Sequence, residues 1–193
     1  MTASVATMGT GERILAAAAQ MTAEIGWSGV TMAAVAERVG VSRQTVYNEW
    51  GSRDQLAEAM VLRELSSFLG EVDAGFADHP QDLEAGVAAA IGRVLALAEI
   101  NPLLRAIVTA THGAGTELVP LLTTRADAVI GVARERVRDR LLEYPDVDRA
   151  AVDVISDILV RTVLSHVMQP DQDQRRLPAD LGAATATLVV SLR

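Results

Sequence analysis

The chain has 193 residues, half of them apolar, and a formal net charge of −8. That is enough apolar material for a buried core, and too acidic a balance for a protein that coats nucleic acid by neutralising phosphates. Cysteine is absent and all 17 basic residues are Arg, which excludes disulfides, thiolate metal sites and a cysteine nucleophile and suits a reducing cytoplasm.

The opening stretch MTASVATMGTG has no basic start and no continuous apolar run, so it reads as a loose arm rather than a leader. Beyond it, Gly and Pro divide the chain into segments whose apolar residues recur at three and four, which predicts an all-α protein of about nine helices. The first is expected over 10–25, with Ile14, Leu15, Ala18, Met21 and Ile25 on one face and Gly26 as its stop. A short helix over 32–39 stops at Gly40, and the next starts after Ser42, whose hydroxyl can cap its first amides. Ser52 and Gln55 form a capping-box pattern that opens a long helix to about residue 77, carrying Leu62, Leu65, Leu69, Val72 and Phe76.

A fifth helix follows DHPQD, with Leu83, Val87, Ile91, Val94, Leu95 and Ala98, and Asn101-Pro102 opens a short one through about 110. After the break HGAG, the spacing predicts a long helix over 117–143. Asp146 is the expected cap of another running to about 169, with Val154, Ile155, Ile158, Leu159, Val163 and Val167 turned inward. Pro178 is expected to open the last helix. Its stretch GAATATLVVSL, residues 182–192, is too short to cross a bilayer, so a soluble cytoplasmic protein without membrane contact is expected.

Within 32–51 the residues fit a helix-turn-helix frame. Ala36 is small where two helices cross, Gly40 can take the left-handed turn conformation, and Val46 packs the second helix on the first. Such a frame also occurs in ordinary helical hairpins, so the outward residues must decide. These are Arg43, Gln44, Thr45, Tyr47 and Asn48, which can bond base edges or phosphates: Arg suits guanine, Gln suits adenine, and Thr can meet a thymine methyl. Arg38, Arg43 and Arg53 against Glu49 also leave 38–53 locally positive within a negative chain. Trp50 is expected to be mainly packing against the first helix.

The stretch RILAAAAQMTAEIGWSGVTMAAVAERVGVSRQTVYNEWGSRDQL, residues 13–56, resembles the N-terminal domain of the TetR family of bacterial transcriptional repressors. The resemblance rests on the Ala-rich first helix, Gly26 and Thr31, VAERVGVS, the TVY core and a basic residue after Ser52. It implies phosphate contacts from Thr31, Tyr47 and Arg53, with Ser42, Arg43, Gln44, Thr45 and Asn48 completing the DNA-binding set. Trp50 stands where the family more often has Phe, and Arg53 where it more often has Lys. It further implies a DNA-binding domain at 1–56 and an effector-binding and dimerisation domain at 57–193. The partners implied are a double-stranded palindromic operator, a second copy of the chain held through the last two helices, and a small-molecule effector; the function implied is a ligand-responsive repressor.

The small residues of 182–187 and the apolar Val154, Ile158 and Leu188 fit such a dimer, although a helix buried within one chain fits them nearly as well. An alanine-rich body with few aromatics leaves room for a hydrophobic effector, with Arg105, Thr109, His112, Arg161, Ser165 and His166 as candidate polar contacts. Arg161 has the simpler alternative of pairing with Asp157, and His166 that of a satisfied core histidine. The layout NPLLRAI, LLTTRADAVIG and RTVLSHVMQP is similar to TetR-like regulators of lipid metabolism, which implies a fatty acid or acyl thioester. No nucleophile with its base, phosphate-binding loop or metal-ligand spacing is present, so neither an enzyme nor a cofactor or metal is expected. A helical adaptor without DNA contact is the alternative, and it leaves residues 43–50 unexplained.

Overall fold

The computed structural model describes residues 8–104, 126–145, 147–170 and 175–191. Among them the regular structure is helical throughout: α1 (Thr10–Ile25), a 3-10 turn (Trp27–Gly29), α2 (Met32–Val39), α3 (Arg43–Trp50), α4 (Arg53–Ala77), α5 (Leu83–Ile100), α6 (Ala126–Leu141), α7 (Arg149–Met168) and α8 (Leu177–Ser191). The described residues form two compact units that divide within α4. One holds residues to Glu64 together with the segment from Asn101; the other holds 65–100 and the described residues from 126 onward.

The first unit is built on an apolar centre to which each short helix contributes one face. Ile14, Ala18 and Met21 of α1, Val35 and Ala36 of α2, Val46 of α3, Leu56, Ala57 and Met60 of α4, and Trp27 and Val30 of the connection are all buried. Each helix start here has a local cause. The Thr31 hydroxyl accepts from the Ala34 amide at 3.1 Å, Ser42 from Thr45 at 3.0 Å, and Ser52 from Gln55 at 3.1 Å, each satisfying a donor the helix leaves open.

In the second unit, α5 and α8 cross closely because both present small residues. A side chain at Gly182 would meet the Glu84 carbonyl at 2.6 Å, and Thr185 and Val189 are buried on the same face. Part of the small-residue run of 182–187 therefore serves contacts within the chain. α4 and α5 approach in the same way, since a Cβ on Gly75 would lie 2.3 Å from the Ala90 backbone. Tyr144, which follows α6, is buried, donates to the His79 carbonyl at 2.7 Å and packs against Phe76. Asp73 of α4 accepts from Arg136 and Arg140 of α6 at 2.6 and 2.8 Å.

Three expectations are corrected. The cap of α7 is Asp148, accepting from Ala150 at 2.9 Å, not Asp146, which lies outside the described residues. The last helix begins at Leu177, one residue before Pro178. Val154 and Ile158 are exposed, at 62% and 48%, whereas Ile155, Leu159 and Val167 are buried; an apolar helix with two greasy faces can bury only one of them against its own chain. Leu62 is likewise exposed on α4. The described parts of the helices expected over 102–110 and 117–143 are residues 102–104 and Ala126–Leu141.

Candidate nucleic-acid interface

The turn between α2 and α3 is tight. Gly40 has φ +75° and ψ +37°, the left-handed region an L side chain enters at a cost. In that conformation its amide bonds the Ala36 and Glu37 carbonyls at 3.0 and 3.2 Å, and the Val41 amide bonds Ala36 at 3.0 Å. The carbonyls at the end of α2 are thereby satisfied and the chain is redirected into α3, whose Val46 is fully buried. The frame read from Ala36, Gly40 and Val46 is thus present as geometry.

With Val46 inward, α3 turns Arg43, Gln44 and Asn48 to solvent, while Thr45 and Tyr47 are half-buried. The outward residues are paired along the helix. The Arg43 guanidinium lies 5.4 Å from the centre of the Tyr47 ring and its Nη2 donates to the Tyr47 hydroxyl at 3.3 Å. Gln44 Nε2 donates to Asn48 Oδ1 at 2.8 Å. The Thr45 hydroxyl sits 2.8 Å from that of Ser42, at the start of α3. Trp50 is half-buried near the first turn of α1, where its ring lies 3.6 Å from the place a Cβ on Gly11 would take; its Nε1 is buried without a partner.

The locally positive stretch is less free than its composition suggests. Arg38 forms an ion pair with Glu24 at 2.8 Å, and that contact, chiefly its hydrogen bond, holds the Glu24 carboxyl below its usual range. Arg53 is turned inward. Its Nε donates to the Val30 carbonyl at 2.9 Å, its Nη2 to the Trp27 carbonyl, and its plane stacks 4.6 Å from the centre of the Trp27 ring. Arg13 donates to the Val39 carbonyl at 2.8 Å. Among the described arginines of α1 to α3, Arg43 is the one held by an aromatic ring and hydroxyl rather than by a carboxylate or carbonyl, so its charge faces outward. Trp27, buried at 6% exposure, is the residue the sequence reading missed. Its signal was slight: one of two Trp in the chain, directly after a Gly stop.

Of the six candidate effector contacts, Arg105, Thr109 and His112 lie outside the described residues. Arg161 pairs with Asp157 at 2.8 Å, the simpler of its two alternatives. Arg161 and Ser165 are exposed and continue the spacing of Val154 and Ile158 along one face of α7. His166 is half-buried with Nδ1 2.9 Å from the Thr162 carbonyl. In the same helix Ser156 is fully buried and its hydroxyl has no partner. Among the described residues there is no group of acidic or His side chains that could hold a metal, and no helix long and apolar enough to cross a membrane.

Residues 14–60 match the family model of bacterial regulatory proteins, tetR family, and residues 82–187 match that of the bacterial tetracyclin repressor C-terminal domain. The chain is 30% identical over 159 residues to the HTH-type transcriptional regulator AlkX of Mycobacterium tuberculosis, covering 80% of this chain and 73% of that protein. It is similar in structure to the TetR family repressor AlkX from Dietzia sp., implicated in biodegradation of n-alkanes, with a TM-score of 0.74 and 30% identity over 93% of this chain and 97% of that one. The fatty acid degradation regulator FadR from Bacillus halodurans has the same fold, with a TM-score of 0.61 at 18% identity, covering 96% of this chain and 98% of that one.

Proposed function

Because this chain belongs to the TetR family of DNA-binding bacterial transcriptional regulators, we propose that it is a homodimeric repressor released from a palindromic operator by a hydrophobic effector. The outward row of α3 carries this reading: Arg43, Gln44, Tyr47 and Asn48 present donors, acceptors and one unneutralised guanidinium on a helix whose other face is buried. We assign Arg43, Gln44, Thr45 and Asn48 to the groove. The backbone contacts fall to Thr31 and Ser42 at their helix starts and to Tyr47, whose hydroxyl accepts from Arg43 and keeps its proton to donate to a phosphate. Arg53 is assigned to the same edge, mainly by holding it in shape.

A helix of eight residues reads few base pairs, so two copies about 34–36 Å apart on a palindrome supply the rest of the specificity. The surface proposed for pairing is the exposed apolar row Val154 and Ile158 of α7 with Leu188 of α8. Arg161 and Ser165 lie on that same α7 face and are assigned to its polar border rather than to the effector. Residues 1–56 are taken as the DNA-binding domain and 57–193 as the effector-binding and dimerisation domain.

The effector class proposed is a long aliphatic molecule such as a fatty acid or acyl thioester, in keeping with the alkane-linked role of the Dietzia relative; His166, Arg105, Thr109 and His112 are its proposed polar contacts. An effector that prefers the dimer with badly spaced heads shifts the population, and a coupling of about 1–3 kcal/mol weakens operator binding roughly 5- to 150-fold. The test is titration of the purified protein onto its own upstream DNA at two salt concentrations, with and without a long-chain acyl ligand. Sequence-selective binding that the ligand weakens is expected; absence of sequence selectivity at both salts overturns the proposal.

A further inference from the structure

We propose that α3 reads its operator through two side-chain couplets, in which Tyr47 positions the Arg43 guanidinium on a guanine and the joined Gln44 and Asn48 amides recognise an adenine. This rests on the reading that α3 enters the major groove. Residues four apart lie one above the other on a helix, and both couplets use that spacing. Arg43 is exposed, yet its guanidinium is held by the ring 5.4 Å away and by the hydroxyl at 3.3 Å. A guanidinium carries five N–H donors, so one given to Tyr47 leaves the fork that guanine O6 and N7 require.

The second couplet discriminates by its remaining groups. The bond from Gln44 Nε2 to Asn48 Oδ1 leaves the Gln44 Oε1 as an acceptor and the Asn48 Nδ2 as a donor. Adenine offers the complement, an N6 donor beside an N7 acceptor, whereas guanine offers two acceptors and would face Oε1 with like polarity. The Thr45 hydroxyl is engaged by Ser42, which leaves its methyl group for the groove. Successive residues of a helix stand about 100° apart around its axis, so the couplets led by Arg43 and Gln44 reach different bases.

Tyr47 acts here as a positioning residue, whereas Asn48 both holds Gln44 and donates to the base; base preference, which a merely structural role leaves untouched, is the readout. The full-length protein is used to select half-sites from a randomised duplex library. The wild type, Tyr47→Phe, Tyr47→Leu and Asn48→Ala are then titrated on the selected duplex and its single-base variants. The selected half-site is expected to hold a guanine whose preference depends on Tyr47 and an adenine whose preference depends on Asn48. Tyr47→Phe keeps the ring and so keeps the guanine preference, while Tyr47→Leu lowers that preference about 2- to 5-fold, the worth of an exposed cation–ring contact, and leaves the adenine position alone. Asn48→Ala does the reverse, and because Asn48 is exposed it keeps the idea testable should Tyr47→Leu fail to fold. Equal weakening of every duplex by Tyr47→Leu with preference intact, or a selected half-site that lacks either base, overturns the couplets. Selection of no sequence by the wild type overturns the DNA-reading function itself.

Discussion

Replacing Arg53 by Ala separates two roles that the same residue is assigned on different grounds. Resemblance makes it a phosphate contact, whereas its geometry makes it a clamp from the start of α4 to the connection between α1 and α2. Each hydrogen bond from a charged donor is worth about 1.5 kcal/mol at the low end, and the stack on Trp27 adds about 0.5–1 kcal/mol. Water reaching this half-buried site replaces part of that, so the expected loss is about 2–3 kcal/mol. For a chain of this size that corresponds to a fall in Tm of about 5–10 °C, measured by circular dichroism with no DNA present. Arg53→Lys should lie between, because one ammonium is a point charge and cannot reproduce a planar fork lying on a ring. If Arg53→Ala melts with the wild type and loses only operator affinity, with the salt slope reduced by about 0.9 for one phosphate, the clamp is refuted.

Gly75→Ala sets helix propensity against packing. Propensity alone favours Ala by about 0.5–1 kcal/mol, but a Cβ 2.3 Å from the Ala90 backbone forces α4 from α5, so chemical denaturation should show a net loss of about 1–3 kcal/mol. Ile158→Arg with Leu188→Arg should turn a dimer into a monomer by sedimentation while leaving helicity intact, because both side chains are exposed in the single chain; a persistent dimer rejects that surface. The Glu24 carboxyl is depressed by Arg38, so its contribution is present above the ordinary Glu range near about 4.3 and is lost as pH falls through the folded-state value. Glu24→Gln should therefore melt below wild type at neutral pH and converge with it in acid, with the gap shrinking in salt; a gap that persists in acid contradicts this. Ser42→Ala should cost about 1 kcal/mol by removing the cap of α3, read by thermal melting.

How much was legible in the sequence follows from how local each decision is. The limits of α1 to α4 could be read because Thr31, Ser42, Ser52, Gly26 and Gly40 act on amides and carbonyls within four residues of themselves. The start of α7 could not, since Asp146 and Asp148 are both competent caps. The choice between them falls just after Tyr144, whose position is set by the His79 carbonyl 65 residues away. The outward row of α3 was legible from a single buried Val46; that its members are paired, and that Arg38 and Arg53 are drawn away from it, was not.

By itself, then, the sequence determined an all-helical chain, the helix-turn-helix frame and the polar row that α3 presents, because helical period, caps and a left-handed glycine are properties of short stretches. Tertiary structure alone decided which face of α7 is buried and which is left apolar in solvent. It also decided that α5 packs on the small residues of α8, and that Arg53 ends on Trp27. The physical reason is the same in each case. A stripe or a charge states what a side chain can satisfy, and only the elements that pack against it, such as Val30 against Arg53 and Glu84 against Gly182, determine which demand is met.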